Sequence, residues 1–124
     1  MPLGKRELAR IERGLIATLT EACETAKSEI KGFSWLTHEA DLNALPETLK
    51  VIWVFETLAD KKLAQSSAQK VRIFELTAMA LNGANIDLRP SDHNVRFDSE
   101  EECQRSHGGD WQKRLAQSRV TKGY

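Results

Sequence analysis

The residue types best suited to chemistry lie close together near the end of the chain. Residues 98–111 contain several carboxylates, a thiol, an imidazole, two adjacent glycines and an indole. The carboxylates of Asp98 and of Glu100, Glu101 and Glu102 could serve a metal ion or general acid–base catalysis. Consecutive helical residues point about 100° apart, so three adjacent glutamates need other ligands to hold one ion. Because anions are also favoured at helix N-termini, the pattern favours a structural role at the start of a short helix.

Cys103 and His107 are four residues apart and would share one face of that helix. They could form half of a zinc site, with His38 or His93 supplying the remaining ligands. The same pair could act as a nucleophile and its base, since a nearby imidazole lowers a thiol pKa. The sequence therefore leaves a metal- or thiol-dependent enzyme open. It contains no phosphate-binding loop or nucleophile elbow, and it predicts no cofactor.

A basic and aromatic patch lies at the end of the chain. Cationic side chains beside an indole suit single-stranded nucleic acid. A solvated tail over about residues 112–124, with Trp111 held against the body of the protein, is the simpler interpretation. The candidate nucleic-acid contacts are Trp111, Lys113, Arg114, Arg119 and Lys122.

Composition sets the class of protein. The 124 residues include 40% hydrophobic and 29% charged residues, which is typical of one globular domain spanning 1–124. The formal net charge is zero, so attraction to nucleic acid requires a local patch. The start of the chain is charged and predicts no secretory signal, and no apolar run is long enough for a membrane span. With two distant cysteines, these features predict a cytoplasmic protein without membrane partners.

The elements of the first half follow from apolar spacing. Apolar residues recur every three or four positions over residues 7–31, which predicts a long helix that ends at Gly32. Residues 33–38 and 49–55 are rich in β-branched and aromatic side chains and predict two antiparallel strands.

The second half alternates between helix and strand signals. Asp60 is the expected cap of a helix that runs to about Leu81, with Leu63 and Val71 among its buried residues. Residues 86–88 and 94–97 predict two short strands or one bent strand. Ser99 and Glu102 have the spacing of a capping box that starts a short helix, which the glycines at 108 and 109 end.

These elements predict an α/β protein of the α+β kind, in the order α-β-β-α-β(-β)-α. We expect a two-layer sandwich in which two long helices cover one face of a small, mainly antiparallel sheet. The other face would have about half that cover and could bind a partner or a second subunit.

Three blocks of the sequence carry a family resemblance. They are Gly32-Phe33-Ser34-Trp35-Leu36-Thr37-His38, then Val54-Phe55, then residues 97–111 together with Arg114-Leu115. In these blocks the chain resembles a family of small uncharacterised proteobacterial proteins. Members are sometimes labelled Fis-family transcriptional regulators, so the resemblance implies a bacterial protein with a regulatory role, and it assigns no role to any residue.

Three functions follow as hypotheses. The leading one is a non-catalytic interaction or regulatory module that binds a protein partner or forms a homodimer. The second is a nucleic-acid-binding transcriptional regulator that uses the basic tail. The third is the metal- or thiol-dependent enzyme built on Cys103 and His107.

Overall fold

The computed structural model describes residues 4–41 and 44–116. The predicted α+β fold is confirmed, with helices packed around a three-stranded sheet in the order β1-β2-β3. Helical residues 111–116 follow the last named helix. The elements are α1 (Lys5–Glu29), β1 (Phe33–Glu39), β2 (Lys50–Phe55), α2 (Leu58–Ser66), α3 (Ala68–Gly83), β3 (Val95–Ser99) and α4 (Glu100–His107).

The first helix and the first two strands form as the sequence predicts. The buried residues of α1 are Leu15, Leu19, Ala22 and Ala26, which lie on one face of the helix. Gly32 follows α1 with a φ of 75°, and β1 then pairs antiparallel with β2. Strand β2 is buried from Val51 to Phe55, as its unbroken apolar run predicts.

The third strand differs from the prediction in two ways. Residues 86–88 are not a strand, because their backbone groups bond locally, as when the amide of Leu88 donates to the carbonyl of Ile86. Strand β3 is parallel to β2, so the sheet is mixed rather than mainly antiparallel. The cause is the connection, since the chain between β2 and β3 passes through α2 and α3 and returns to the starting end of β2.

The predicted second helix is two helices. Ser67 has an extended backbone and caps α3, its hydroxyl accepting from the amide of Gln69. The cap of α2 is Thr57 rather than Asp60, whose amide donates to the Thr57 hydroxyl at 3.1 Å. Leu63 and Val71 are 43% and 63% exposed instead of buried, because α2 turns Ala64 to the core and α3 turns Ile73 to it.

The two faces of the sheet are covered by different parts of the chain. Helices α1 and α3 lie over the face that carries Trp53, whose indole donates to Thr77 of α3 at 3.2 Å. The opposite face carries Trp35 and Val54, which are partners across β1 and β2. Helical residues 111–116 lie against this face, and the Trp111 ring packs against the Trp35 ring with centroids 5.0 Å apart. None of the described helices is both long and apolar enough to cross a bilayer.

Candidate functional site

The carboxylates of the acid-rich segment are bound to protein groups. Glu100 Oε1 accepts from the indole Nε1 of Trp35 at 2.6 Å and from that of Trp111 at 3.2 Å. The two indoles pack edge to face, at 85° between their planes. One carboxylate therefore joins β1 to the helical residues that follow α4.

The two glutamates after it have separate partners. Glu101 accepts from the amide of Leu58, the first residue of α2, at 3.1 Å, and it pairs with Arg105 at 2.6 Å. Glu102 Oε1 lies 2.5 Å from Lys61 Nζ. The three glutamates thus diverge toward different partners, as their helical spacing requires.

Asp98 and Arg114 form a bidentate ion pair. Arg114 Nε donates to one carboxylate oxygen of Asp98 at 2.8 Å, and Nη2 donates to the other at 2.9 Å. Both side chains are mostly buried, and Glu102 lies 3.3 Å from the same guanidinium. These carboxylates, with burial opposing them, raise the pKa of Arg114. We call Trp35, Asp98, Glu100, Trp111 and Arg114 the C-terminal clasp, because together they hold residues 111–116 against the second sheet face.

The predicted capping box forms in part. Ser99 Oγ accepts from the amide of Glu102 at 3.1 Å, so the hydroxyl half of the motif is confirmed. The reciprocal half is absent here, because the Ser99 amide donates to Asp98 and the Glu102 carboxylate is drawn to Lys61. At the other end Gly108 adopts the predicted left-handed conformation, with φ 61°.

Cys103 is fully buried. Burial raises the pKa of this thiol, and the nearby Arg114 charge opposes that rise without cancelling it. A reactive cysteine needs the opposite shift together with access to solvent. The environment of Cys103 therefore suits packing rather than nucleophilic attack.

The four predicted metal ligands are not brought together. Cys103 and His107 lie on α4, His38 lies on β1, and His93 is exposed in the turn before β3. The His107 ring is 2.5 Å from the Ser106 hydroxyl and 3.5 Å from Arg114. Within residues 4–41 and 44–116 no three His, Cys, Asp or Glu side chains are grouped to hold a metal ion.

Two of the five predicted nucleic-acid contacts are engaged inside the protein. Trp111 and Arg114 belong to the C-terminal clasp and are partly buried. Lys113 is exposed. Arg119 and Lys122 lie outside the described residues. Residues 112–116 of the predicted tail are helical, and the rest of it lies outside the described residues.

An apolar groove lies along α3, and the sequence did not predict it. Its floor consists of Val71, Phe74 and Ala78, and residues 89–92 form its opposite wall. The groove has a volume of about 590 Å³, within the range of sites that bind ligands. We call it the α3 groove. The sequence signal that could have found it is the helical spacing of Ile73, Leu76 and Ala80, because a helix that buries this stripe turns Val71 outward.

Charged residues of both signs border the α3 groove. Lys70 Nζ lies 3.4 Å from Asp92 and 5.8 Å from the centroid of the Phe74 ring. Arg89 and Glu75 complete the charged border. The groove therefore combines an apolar floor with a mixed rim, and it is not a basic patch.

Comparison with known proteins found no family model, no curated protein and no solved structure that matches the chain.

Proposed function

We propose that this chain is a non-catalytic interaction module that binds a segment of a protein partner in the α3 groove. The observation that carries the proposal is the exposure of Val71, which is 63% exposed beside Phe74 and Ala78. Contiguous apolar surface with a polar rim is typical of protein-binding sites. The partner segment we expect carries an apolar anchor flanked by charged residues.

The character of the rim favours a protein segment over nucleic acid. A nucleic-acid site concentrates cations that neutralise successive phosphates. Here Lys70 is paired with Asp92, and Arg89 shares the border with Glu75. A peptide with side chains of both signs is the ligand that such a border complements.

The two alternative functions have less support. A nucleic-acid-binding regulator would use Trp111 and Arg114, whose polar groups are already bonded to Glu100 and Asp98. A thiol-dependent enzyme would need an accessible Cys103 of lowered pKa, and its pKa is raised. The unpaired thiols of Cys23 and Cys103 agree with the proposed cytoplasmic location, where reducing conditions prevail.

Peptide selection tests the proposal without a known partner. Random twelve-residue peptides displayed on phage are selected on the full chain, and the best are synthesised with a fluorophore. We expect micromolar affinity by fluorescence anisotropy, and we expect Val71→Asp to weaken it at least about tenfold, because an anchor loses its apolar contact.

Leu63→Asp is the matched control, because Leu63 is also an exposed apolar residue but lies on α2, outside the groove. It should leave peptide affinity unchanged. The proposal is wrong if no peptide is enriched, or if the enriched peptides bind the Val71→Asp protein as tightly as the original. Labelled single-stranded DNA at low salt is measured in parallel, and binding stronger than that of the peptides would favour the regulator instead.

A further inference from the structure

Strand β1 has an outer edge whose main-chain groups can be identified from the sheet register. The amide of Val51 donates to the carbonyl of Asn94 at 2.6 Å, so the main-chain groups of Val51 point toward β3. Those of Ile52 and Val54 then point toward β1, because successive residues of a strand alternate direction. Their partners on β1 are Thr37 and Trp35.

It follows that Leu36 and His38 direct their amides and carbonyls away from β2. None of the described residues bonds to these groups, and β1 is the end strand of the sheet. An unpaired strand edge is a template for another strand, and proteins usually protect it with proline, charged side chains or bulges. Strand β1 has no proline or lysine, its one bulge lies before Trp35, and its one acidic residue, Glu39, is its last.

We propose that two copies of this chain join along β1, antiparallel, with the two-fold axis at Thr37. Leu36 of each copy then lies opposite His38 of the other. Because each such pair exchanges two main-chain hydrogen bonds, the contact gains about four. The two sheets become one continuous sheet of six strands, which is twice the three observed.

The side chains on β1 suit this self-pairing. Thr37 lies opposite Thr37 of the second copy, a pairing that stabilises sheets. Glu39 lies opposite Trp35 of the second copy, so the register brings no like charges together. Register is fixed by such pairs and by the bulge, which leaves the part of β1 from Trp35 onward free to pair in this way.

A second observation comes from α1, which packs over β1. Helix α1 contacts β1, and the charge of Glu12 on one flank of α1 interacts with His38 of β1. Ile16 follows Glu12 by four residues on that flank and is 48% exposed. Two-fold pairing along β1 places the helices of both copies on the same side of the sheet. Their α1 flanks then lie side by side, and Ile16 gains an apolar neighbour.

A cysteine at the axis tests the proposal directly. Cα atoms of a facing, non-hydrogen-bonded antiparallel pair are about 4.5 Å apart, within the range that a disulfide spans. We expect Thr37→Cys to convert to a covalent dimer under mild oxidation, seen on a non-reducing gel. Light scattering of the original chain should give twice the chain mass of 14.0 kDa.

Glu39→Cys is the matched control on the same strand and face. Two such residues would be about 13 Å apart along the strands, so they should not cross-link. Thr37→Lys places two ammonium groups at the axis and should give a folded monomer, with folding checked by circular dichroism. Val71→Asp should leave the dimer intact, which separates this inference from the proposed peptide site.

The inference is overturned if the original chain scatters as a monomer at high micromolar concentration. It is equally overturned if Glu39→Cys cross-links as fast as Thr37→Cys, or if the Thr37→Lys protein remains a dimer. Each of the last two results would place the contact on another register or another face.

Discussion

Trp53 and Trp35 lie on opposite faces of the same sheet and are held by different chemistry. The indole of Trp53 packs 5.0 Å from Phe33 and donates to a neutral hydroxyl, that of Thr77. The indole of Trp35 donates to the Glu100 carboxylate, which also accepts from Trp111. Apolar packing does not depend on the exact orientation of the side chains. A carboxylate that accepts from two indole N–H groups requires both indoles to be correctly placed.

This difference bears on what each face can do. The helix-covered face packs against a cluster of buried apolar side chains, and the bond from Trp53 to Thr77 lies within that cluster. The C-terminal clasp depends on groups 65 residues apart, from Trp35 to Glu100. We therefore expect the first face to carry most of the free energy of unfolding and the second to open locally.

The largest expected effect is on the helix-covered face. Trp53→Ala should lower the free energy of unfolding by about 3–5 kcal/mol, because it removes a fully buried ring and leaves a cavity. Urea unfolding followed by circular dichroism measures this. Trp35→Ala is the comparison, and it should cost less because Trp35 is only partly buried. Equal losses in the two variants would remove the distinction between the faces.

The next effect is on the C-terminal clasp. Glu100→Ala should lower the free energy of unfolding by about 1–3 kcal/mol, because two indole donors lose a charged acceptor. It should also speed the reaction of Cys103 with a thiol reagent. The rate is measured in a Cys23→Ser background, so that Cys103 is the thiol that reacts. Glu100→Gln keeps an acceptor oxygen and should show a smaller change in both. If Cys103 of the Glu100→Ala protein reacts with the reagent at the original rate, residues 111–116 do not open in that variant.

The parts of the fold that follow from local pattern could be predicted from the sequence. The apolar spacing of α1, the strand-like run of β2 and the left-handed Gly108 each depend on neighbouring residues only. The parallel direction of β3 and the break at Ser67 were not predicted. Direction depends on the path of the connection, and a serine within a helical pattern does not by itself specify a break.

The candidate sites show the same limit. The sequence pointed to residues 98–111 as the segment rich in functional groups, and it favoured a structural role there. It could not supply Trp35 as a partner of Glu100, because no local spacing relates residues from different strands and helices. The α3 groove was missed because Val71 was expected on the buried face of its helix, whereas the buried stripe is the one that carries Ile73 and Leu76.

A smaller effect is expected from the geometry of the ion pair. Arg114→Lys keeps the charge but loses the fork that meets both oxygens of Asp98. We expect a loss of about 1 kcal/mol in the free energy of unfolding. Lys113→Arg is the control, because Lys113 is exposed on the adjacent position and should give no change. A loss for Lys113→Arg equal to that for Arg114→Lys would argue that the bidentate contact contributes nothing.

The smallest expected effect is a pH dependence that arises on β1. Burial lowers the pKa of His38, and the Glu12 carboxylate only partly opposes it. The unfolded chain therefore binds the proton more readily, so the stability that His38 contributes is present above about pH 6.5 and is lost as the pH falls below that value. Urea unfolding at a series of pH values should show this fall in the original chain and a shallower one in His38→Gln. A His38→Gln profile that falls as steeply as the original would assign the dependence to other groups, and the edge of β1 would then carry no pH-sensitive element.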